Sequence, residues 1–350
     1  MANTNLSSTT REMWERTLKP QVIMRNPLLA RLEMDGGIIV QGGTAFKHTV
    51  QKAEMVSGVQ NYTVDEDLTD QDPDLFATAE WKLKRKQIGI RYDADEDAEN
   101  MPPEQIVPLV SQKLVIGQRS MRTSLKQDAY RAPSGTVSSD SSSAPASLLD
   151  ALATTRVGAS LAYGGVTSST TSNVWWNPAS TTGAYNDSGT SIKPYLANFD
   201  LIWDTCNTWV DGQRSEWLAL VSPTIYRSLK AEINAKSVLV NVNTRLAKLG
   251  FSAFEYDQLE FVSDPYLDRN EMDAASSPGA INTTRQKYAF CLHIPSWRFL
   301  IHSKRNFRLE DAFWQGKISR GRDYWLQRAL FRGNLITVQP NASCAKTNMA

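Results

Sequence analysis

The period of the apolar positions changes several times along the chain, and each change marks an element. Trp14, Leu18 and Val22 recur every four residues behind a capping box of Thr9 and Glu12, which predicts a short amphipathic helix, with Pro20 and Pro27 keeping it from running straight. So small a segment has no core of its own and must lie on another surface. Over 36–92 the pattern predicts one extended hairpin. It has a glycine-rich start (Gly36, Gly37, Gly42, Gly43), a strand at 46–50, an acidic tip, and a return strand at 81–92 alternating through Ile88, Ile90 and Tyr92. The tip holds Asp65, Glu66, Asp67, Asp70, Asp72 and Asp74 with few large apolar residues. A long hairpin with so little to bury should project into solvent or onto a partner.

Between 102 and 132 the period becomes helical, with Ile106, Val110, Leu114, Met121 and Leu125 on one stripe and Asn100 ahead of a Pro102-Pro103-Glu104 first turn. A helix of that extent would be on the order of 40 Å long, a spine for whatever packs on it. Residues 133–190 are rich in Ser, Thr and Gly, with apolar pieces at 148–152 and at Val174-Trp175-Trp176, and predict a surface linker with local anchors. Helical spacing returns from Tyr195 through Leu196, Phe199, Ile202 and Trp203 towards Gly212. A buried strand at 217–221 follows, and then a helix opening at Ser222-Pro223-Thr224. Further strands are predicted at 251–256, 259–262, 288–293, 299–302 and 334–338. Helix and strand alternate without a βαβ rhythm, so the fold class expected is α+β.

Composition narrows the functional classes. Lys plus Arg is 38 and Asp plus Glu is 37, a net charge of +1, so any contact with nucleic acid or membrane must come from a local patch. No apolar run approaches the length of a membrane span, and the first twenty residues lack a secretory pattern; a protein used without export is expected. Cys206, Cys291 and Cys344 lie far apart without CxxC spacing, which suggests indifferent buried thiols. His48, His293 and His302 are scattered and read as ordinary strand histidines. There is no phosphate loop, HExxH or GxSxG. No catalytic, cofactor-binding or metal-ligating residue is therefore assigned. Ten tryptophans keep one alternative open, a polysaccharide-acting enzyme or carbohydrate-binding protein with Trp175-Trp176 as a sugar platform and a carboxylate pair as catalyst. An interface or packing anchor is at least as good a reading of that pair.

Charge is segregated along the chain. Lys82, Lys84, Arg85 and Lys86 follow the acidic tip, and Lys304, Arg305, Arg308, Lys317, Arg320, Arg322, Arg328 and Arg332 face only Glu310, Asp311 and Asp323 in the late region. Such alternation suits pairing between copies of the chain. The candidate inter-subunit contacts are Trp14, Asp65, Glu66, Asp67, Asp70, Lys82, Lys84, Arg85, Lys86, Arg305, Arg308, Arg320 and Arg322.

Several segments, in their order, resemble the major capsid proteins of tailed double-stranded DNA phages, the Hong Kong 97 fold. They are Asn26-Pro-Leu-Leu-Ala-Arg-Leu32, Gly42-Gly43, Tyr163-Gly-Gly-Val166, Val174-Trp-Trp-Asn177, Leu220-Val-Ser-Pro-Thr-Ile-Tyr226 and Phe331-Arg-Gly-Asn-Leu-Ile336. The resemblance implies an N-terminal arm at 1–35, an E-loop hairpin at 36–92 and a P domain with spine helix at 93–132. It further implies a loop or insertion at 133–190, an A domain with return to the P domain at 191–330, and a final strand and tail at 331–350. It implies a virion shell subunit rather than an enzyme, assembled in the host cytoplasm into hexamers and pentamers of an icosahedral head around double-stranded DNA that it contacts without sequence preference. The partners implied are further copies of itself, a portal, a decoration protein and, because no scaffolding segment precedes the arm, a separate scaffolding protein or none. No membrane is involved.

Overall fold

A computed structural model describes residues 26–52, 75–93, 109–131, 145–152, 162–167, 174–179, 195–236, 240–267, 288–314 and 324–346. The arm helix with Trp14, the acidic tip at 65–74, and Arg320 with Arg322 lie outside the described residues. The first described element is helix α1 (Pro27–Met34), started by Asn26, whose Oδ1 accepts from the amides of Leu28 and Leu29 at 3.0 and 3.4 Å, with proline at the first helical position. Its apolar residues Leu28, Leu29, Ala30 and Leu32 are all buried.

Strand β1 (Ile38–Gln41) leads to β2 (Ala45–Gln51), which pairs antiparallel with β3 (Phe76–Lys82) as a separate two-stranded ribbon. The return strand expected at 81–92 is not one strand. It breaks at buried Leu83, and β4 (Lys84–Asp93) leaves the ribbon for a six-stranded sheet. The flanks of the expected hairpin thus belong to the body, and only 45–82 forms the ribbon and its connection. The alternation misled because β4 carries a second period-two pattern, Ile88 and Ile90 inward with Arg85, Gln87 and Arg91 exposed, which fits a sheet with one covered face.

Helix α2 (Leu109–Tyr130) realises the long apolar stripe, with Leu114, Met121, Leu125 and Ala129 buried against the β4 side of the sheet. Its C-terminal end is fixed by polar contacts. Lys86 pairs with Asp128 and donates to Ser124 Oγ at 2.7 Å, Arg131 pairs with Asp150 at 2.9 Å, and Tyr130 Oη donates to the fully buried Asp264 at 2.7 Å. Burial pushes the Asp128 and Asp150 carboxyls up from their ordinary range, against the attraction of Lys86 and Arg131.

Within the Ser/Thr-rich region, α3 (Leu148–Leu152), β5 (Ala162–Tyr163), β6 (Val166–Thr167) and a single turn at Val174–Trp176 are described. Gly164 and Gly165 join β5 to β6 with φ of +61° and +75°, the pattern of a two-residue hairpin turn that glycine suits. A Cβ on Gly164 would sit 2.7 Å from the Trp81 ring, so this turn also lets Trp81 close over it. Phe46, Trp81, Tyr163 and Trp176 form one aromatic cluster with centroid separations of 5.9 to 6.2 Å along it. Trp176 is fully buried and its Nε1 donates to Tyr163 O at 2.9 Å, so this member of the tryptophan pair is a packing anchor, with Trp175 half-buried against it at 5.3 Å between ring centroids.

The body is a five-stranded sheet in the order β15-β10-β7-β9-β8, built from β7 (Trp217–Val221), β8 (Ala253–Tyr256), β9 (Leu259–Ser263), β10 (Ala289–His293) and β15 (Cys344–Lys346). Every residue of β7 is buried because the sheet separates two cores. Trp217, Ala219 and Val221 face α4 (Tyr195–Asn207) and α5 (Pro223–Lys236), while Leu218 and Leu220 join the core shared with the six-stranded sheet. A short helix, α6 (Arg245–Lys248), is capped by Thr244, whose Oγ1 accepts from Ala247 N at 3.1 Å.

The last strand expected, at 334–338, is the end of a far longer one. β14 (Tyr324–Thr337) runs through the middle of the six-stranded sheet, with β4 along ten residues of one edge and β13 (Phe313–Trp314), β12 (Arg308–Leu309) and β11 (Trp297–His302) in succession along the other. β1 closes the sheet by pairing in parallel with β11. Arg328 and Arg332 within β14 hide the strand from a hydrophobic reading; they stand on the face away from α2. Among the described residues, no helix is long and apolar enough to cross a membrane.

Candidate assembly surface

The register of the six-stranded sheet gathers basic side chains on its face opposite α2. Arg85 on β4 is paired with Arg332 on β14, so both point to the same side. Continuing the β11–β14 register by one residue from Ile301–Gly333 sets His302 opposite Arg332, and Gln41 on β1 is paired with His302. Gln41, His302, Arg332 and Arg85 therefore form a row across four strands. With strands about 4.8 Å apart, the last three fall within roughly 10 Å. Lys304 and Arg305, in the turn after β11, flank it.

This row is electrically one-sided. Arg332 is destabilised as a cation first by burial and then by Arg85 and Arg305. The His302 imidazole is pushed below its ordinary range by desolvation and by Arg332, Arg305 and Lys304, and its Nδ1 accepts from Lys304 N at 3.2 Å. Among the described residues no ion pair involves Arg85, Arg305 or Arg332. Two buried donors of the row, Arg332 Nε and Gln41 Nε2, have no acceptor there. Crowded cations and unused donors are the chemistry that carboxylates or phosphates complement.

The sequence candidates divide on this geometry. Arg85 and Arg305 lie in the patch, and Arg308, exposed and paired with Leu330, lies on the same face further along β14. Lys82 is exposed at the ribbon base, where its carbonyl accepts from Asn334 Nδ2 at 3.0 Å. Lys84 and Lys86 point to the other face, and Lys86 is spent inside the subunit on Asp128 and Ser124. On the face of the row, Arg91 and Arg328 are stacked on rings, 4.0 Å from the Tyr324 centroid and 5.3 Å from that of Phe313 respectively. Arg332 and His302 were missing from the candidate contacts. Arg332 stands in the late basic stretch that the sequence marks, but no local signal places it or His302 in the row, which depends on strand pairings between distant segments. Among the described residues no group of histidine, cysteine or carboxylate side chains is arranged to hold a metal ion.

No protein-family model and no curated protein matches the chain. Solved structures do. The capsid asymmetric unit of cyanophage A-1(L) is similar with a TM-score of 0.60 at 14% identity, over 91% of this chain and 93% of that one. The capsid of Myoviridae phage XM1 is similar with a TM-score of 0.52 at 15% identity, over 90% of both chains. The holo-SrpI encapsulin complex from Synechococcus elongatus PCC 7942 reaches 0.52 at 10% identity, over 92% of this chain and 87% of that one. The chain has the capsid-protein fold, mixed helix and sheet, as the resemblance in sequence implied.

Proposed function

We propose that the chain is the major capsid protein of a tailed phage, a shell subunit that assembles into hexamers and pentamers of an icosahedral head around double-stranded DNA. The observation that carries this is the two-way coverage. A chain of a phage capsid covers 91% of this chain and is itself 93% covered, so the likeness extends over the shell subunit as a whole rather than over one shared motif. In this reading the ribbon 45–82 is the E-loop, α2 the spine helix, the six-stranded sheet the P domain and the five-stranded sheet the A domain. Many weak contacts reinforce one another in a closed symmetric shell. A scaffolding protein, a portal and a decoration protein complete the set of partners.

The likeness to an encapsulin makes the shell content the informative measurement. Particles made during phage growth are expected to be uniform isometric heads whose protein is this chain and whose DNA resists nuclease. A shell that protects protein cargo and no DNA would replace phage head by compartment. A chain that stays monomeric when expressed both alone and with a scaffolding protein would overturn the shell reading itself.

The acidic residues Asp65, Glu66, Asp67 and Asp70 dock, in this reading, on the basic row of a neighbouring copy. Between residues 53 and 81 the sequence has no lysine or arginine, so the segment is a polyanion matched to the row. The double variant Arg85→Glu/Arg305→Glu alters two exposed side chains and spares Lys86. It is expected to keep its melting temperature and lose most particle yield at 0.1 M salt, where the Debye length is about 10 Å. Asp70→Lys/Asp72→Lys added to it should recover yield. Undiminished yield from the double variant would refute the docking.

A further inference from the structure

Three cysteines that the sequence spaces far apart meet in the core beneath α4. Cys206 ends that helix, Cys291 lies in the middle of β10, and Cys344 opens β15. They are 0%, 2% and 1% exposed, all are free thiols, and Cys291 and Cys344 are directly opposed in the β10–β15 register. The neighbouring thiols of Cys291 and Cys344, together with burial, push the Cys206 thiol well above its ordinary range. At rest the triad is therefore an unreactive cluster of protonated thiols.

Its position is unusual for inert core packing, because one member sits in an edge strand. β15 is the outermost strand of its sheet and holds to β10 through three residue pairs, with Ala345 and Lys346 half-exposed. The residues before it are firmly placed. Ser343 Oγ accepts from His293 N and Trp297 Nε1, each at 3.1 Å, and Ala342 O accepts from Trp217 Nε1 at 3.0 Å. Fraying from Lys346 inward thus reaches Cys344 first and stops there, opening the triad without dismantling the core. Opposed residues of an antiparallel pair have Cα atoms about 4.5 or 5.5 Å apart, and both values fall within the range a disulfide spans, about 4.4–6.8 Å. Cys206 stands a layer away, on a helix packed over the sheet.

We propose that the triad is a latent redox lock, in which Cys291 and Cys344 form a disulfide that staples β15 to its sheet, leaving Cys206 as the remaining thiol. Two S–H bonds break and one S–S bond forms. The two protons and two electrons pass to a two-electron oxidant of the diazene or disulfide class, which becomes a hydrazine or a pair of thiols. The bond closes the chain from 291 to 344 into a loop and removes the fraying route. The chemistry is a property of the subunit. Only its timing, after release from a reducing cell, rests on the shell reading, and the test on the isolated chain stands or falls without it.

The test treats the folded protein with diamide, quenches with acid, and titrates thiols in denaturant. The count is expected to fall from three to one and to return to three with dithiothreitol. Peptide mapping should show the Cys291–Cys344 linkage, and amide exchange at 344–346 should slow in the oxidised form. Cys206→Ala should still oxidise, to no free thiol, whereas Cys344→Ser should keep both of its thiols. Three thiols persisting after treatment in mild urea, where edge strands fray, would overturn the proposal. So would a mapped disulfide that includes Cys206.

Discussion

Arg31→Ala is expected to lower the unfolding free energy by about 3–5 kcal/mol, the range for breaking a buried ion pair by removing one partner. Arg31 and Glu260 are each 6% exposed, and the guanidinium is 3.3 Å from the Glu260 carboxylate. It also lies 2.8 Å from Asp35 and donates to Ser215 O at 3.2 Å. Glu260 Oε1 in turn accepts from Leu246 N at 3.1 Å, at the start of α6. Arg31 therefore ties α1 to the five-stranded sheet, and without it Glu260 is a carboxylate in the core with one amide for company. Urea unfolding of the single variant measures the loss. The double variant Arg31→Met/Glu260→Leu should recover most of it, because a well-packed apolar pair removes the stranded charge as well as the bond. A single variant within about 1 kcal/mol of the parent would show that water reaches Glu260 and that the pair behaves as an exposed one.

Trp81→Ala should be comparably severe, about 3–5 kcal/mol by the usual cost of emptying a buried aromatic site. Trp81 is 1% exposed and is the member of the ribbon that packs on Phe46, Tyr163 and Trp176. Its Nε1 has no hydrogen-bond partner, so the loss is one of packing, and Trp81→Phe should cost much less. The cavity would open between the base of the ribbon and the Gly164 turn, whose carbonyl accepts from Glu80 N at 2.8 Å. Faster tryptic cleavage at Lys47 and Lys82 should accompany the drop in stability. Unchanged cleavage together with unchanged stability would mean that the ribbon is held by its backbone ladder alone.

Elements whose apolar pattern is local are legible in the sequence. β7 is found at the predicted 217–221 because an unbroken run of five apolar residues fits a strand buried on both faces. The stripe Leu114, Met121, Leu125 marks α2, and Ser222-Pro223 opens α5 where a cap and a proline at the first position say it should. Only the last few residues of β14 are legible in this way, since arginines interrupt its outer face, and the turn of β4 away from the ribbon is hidden at a single buried leucine.

By itself the sequence determined the mixed helix-and-strand class, the places of α2, β7 and α5, and the opposed acidic and basic stretches. These depend on periodicity, turn chemistry and charge counted over neighbours in the chain. Tertiary structure alone decided which cations share a surface. Arg85, Arg332 and His302 come from three strands brought into one row, while Lys86, next to Arg85 in sequence, is turned by the strand's period of two towards Asp128. The thiol triad was decided in the same way, since Cys206, Cys291 and Cys344 have no spacing rule in common and meet only through strand register and the seating of α4. Periodicity reports which face a side chain takes. Which partner meets it there is set by register, and a register shift of one residue sends every side chain of a strand to the other face.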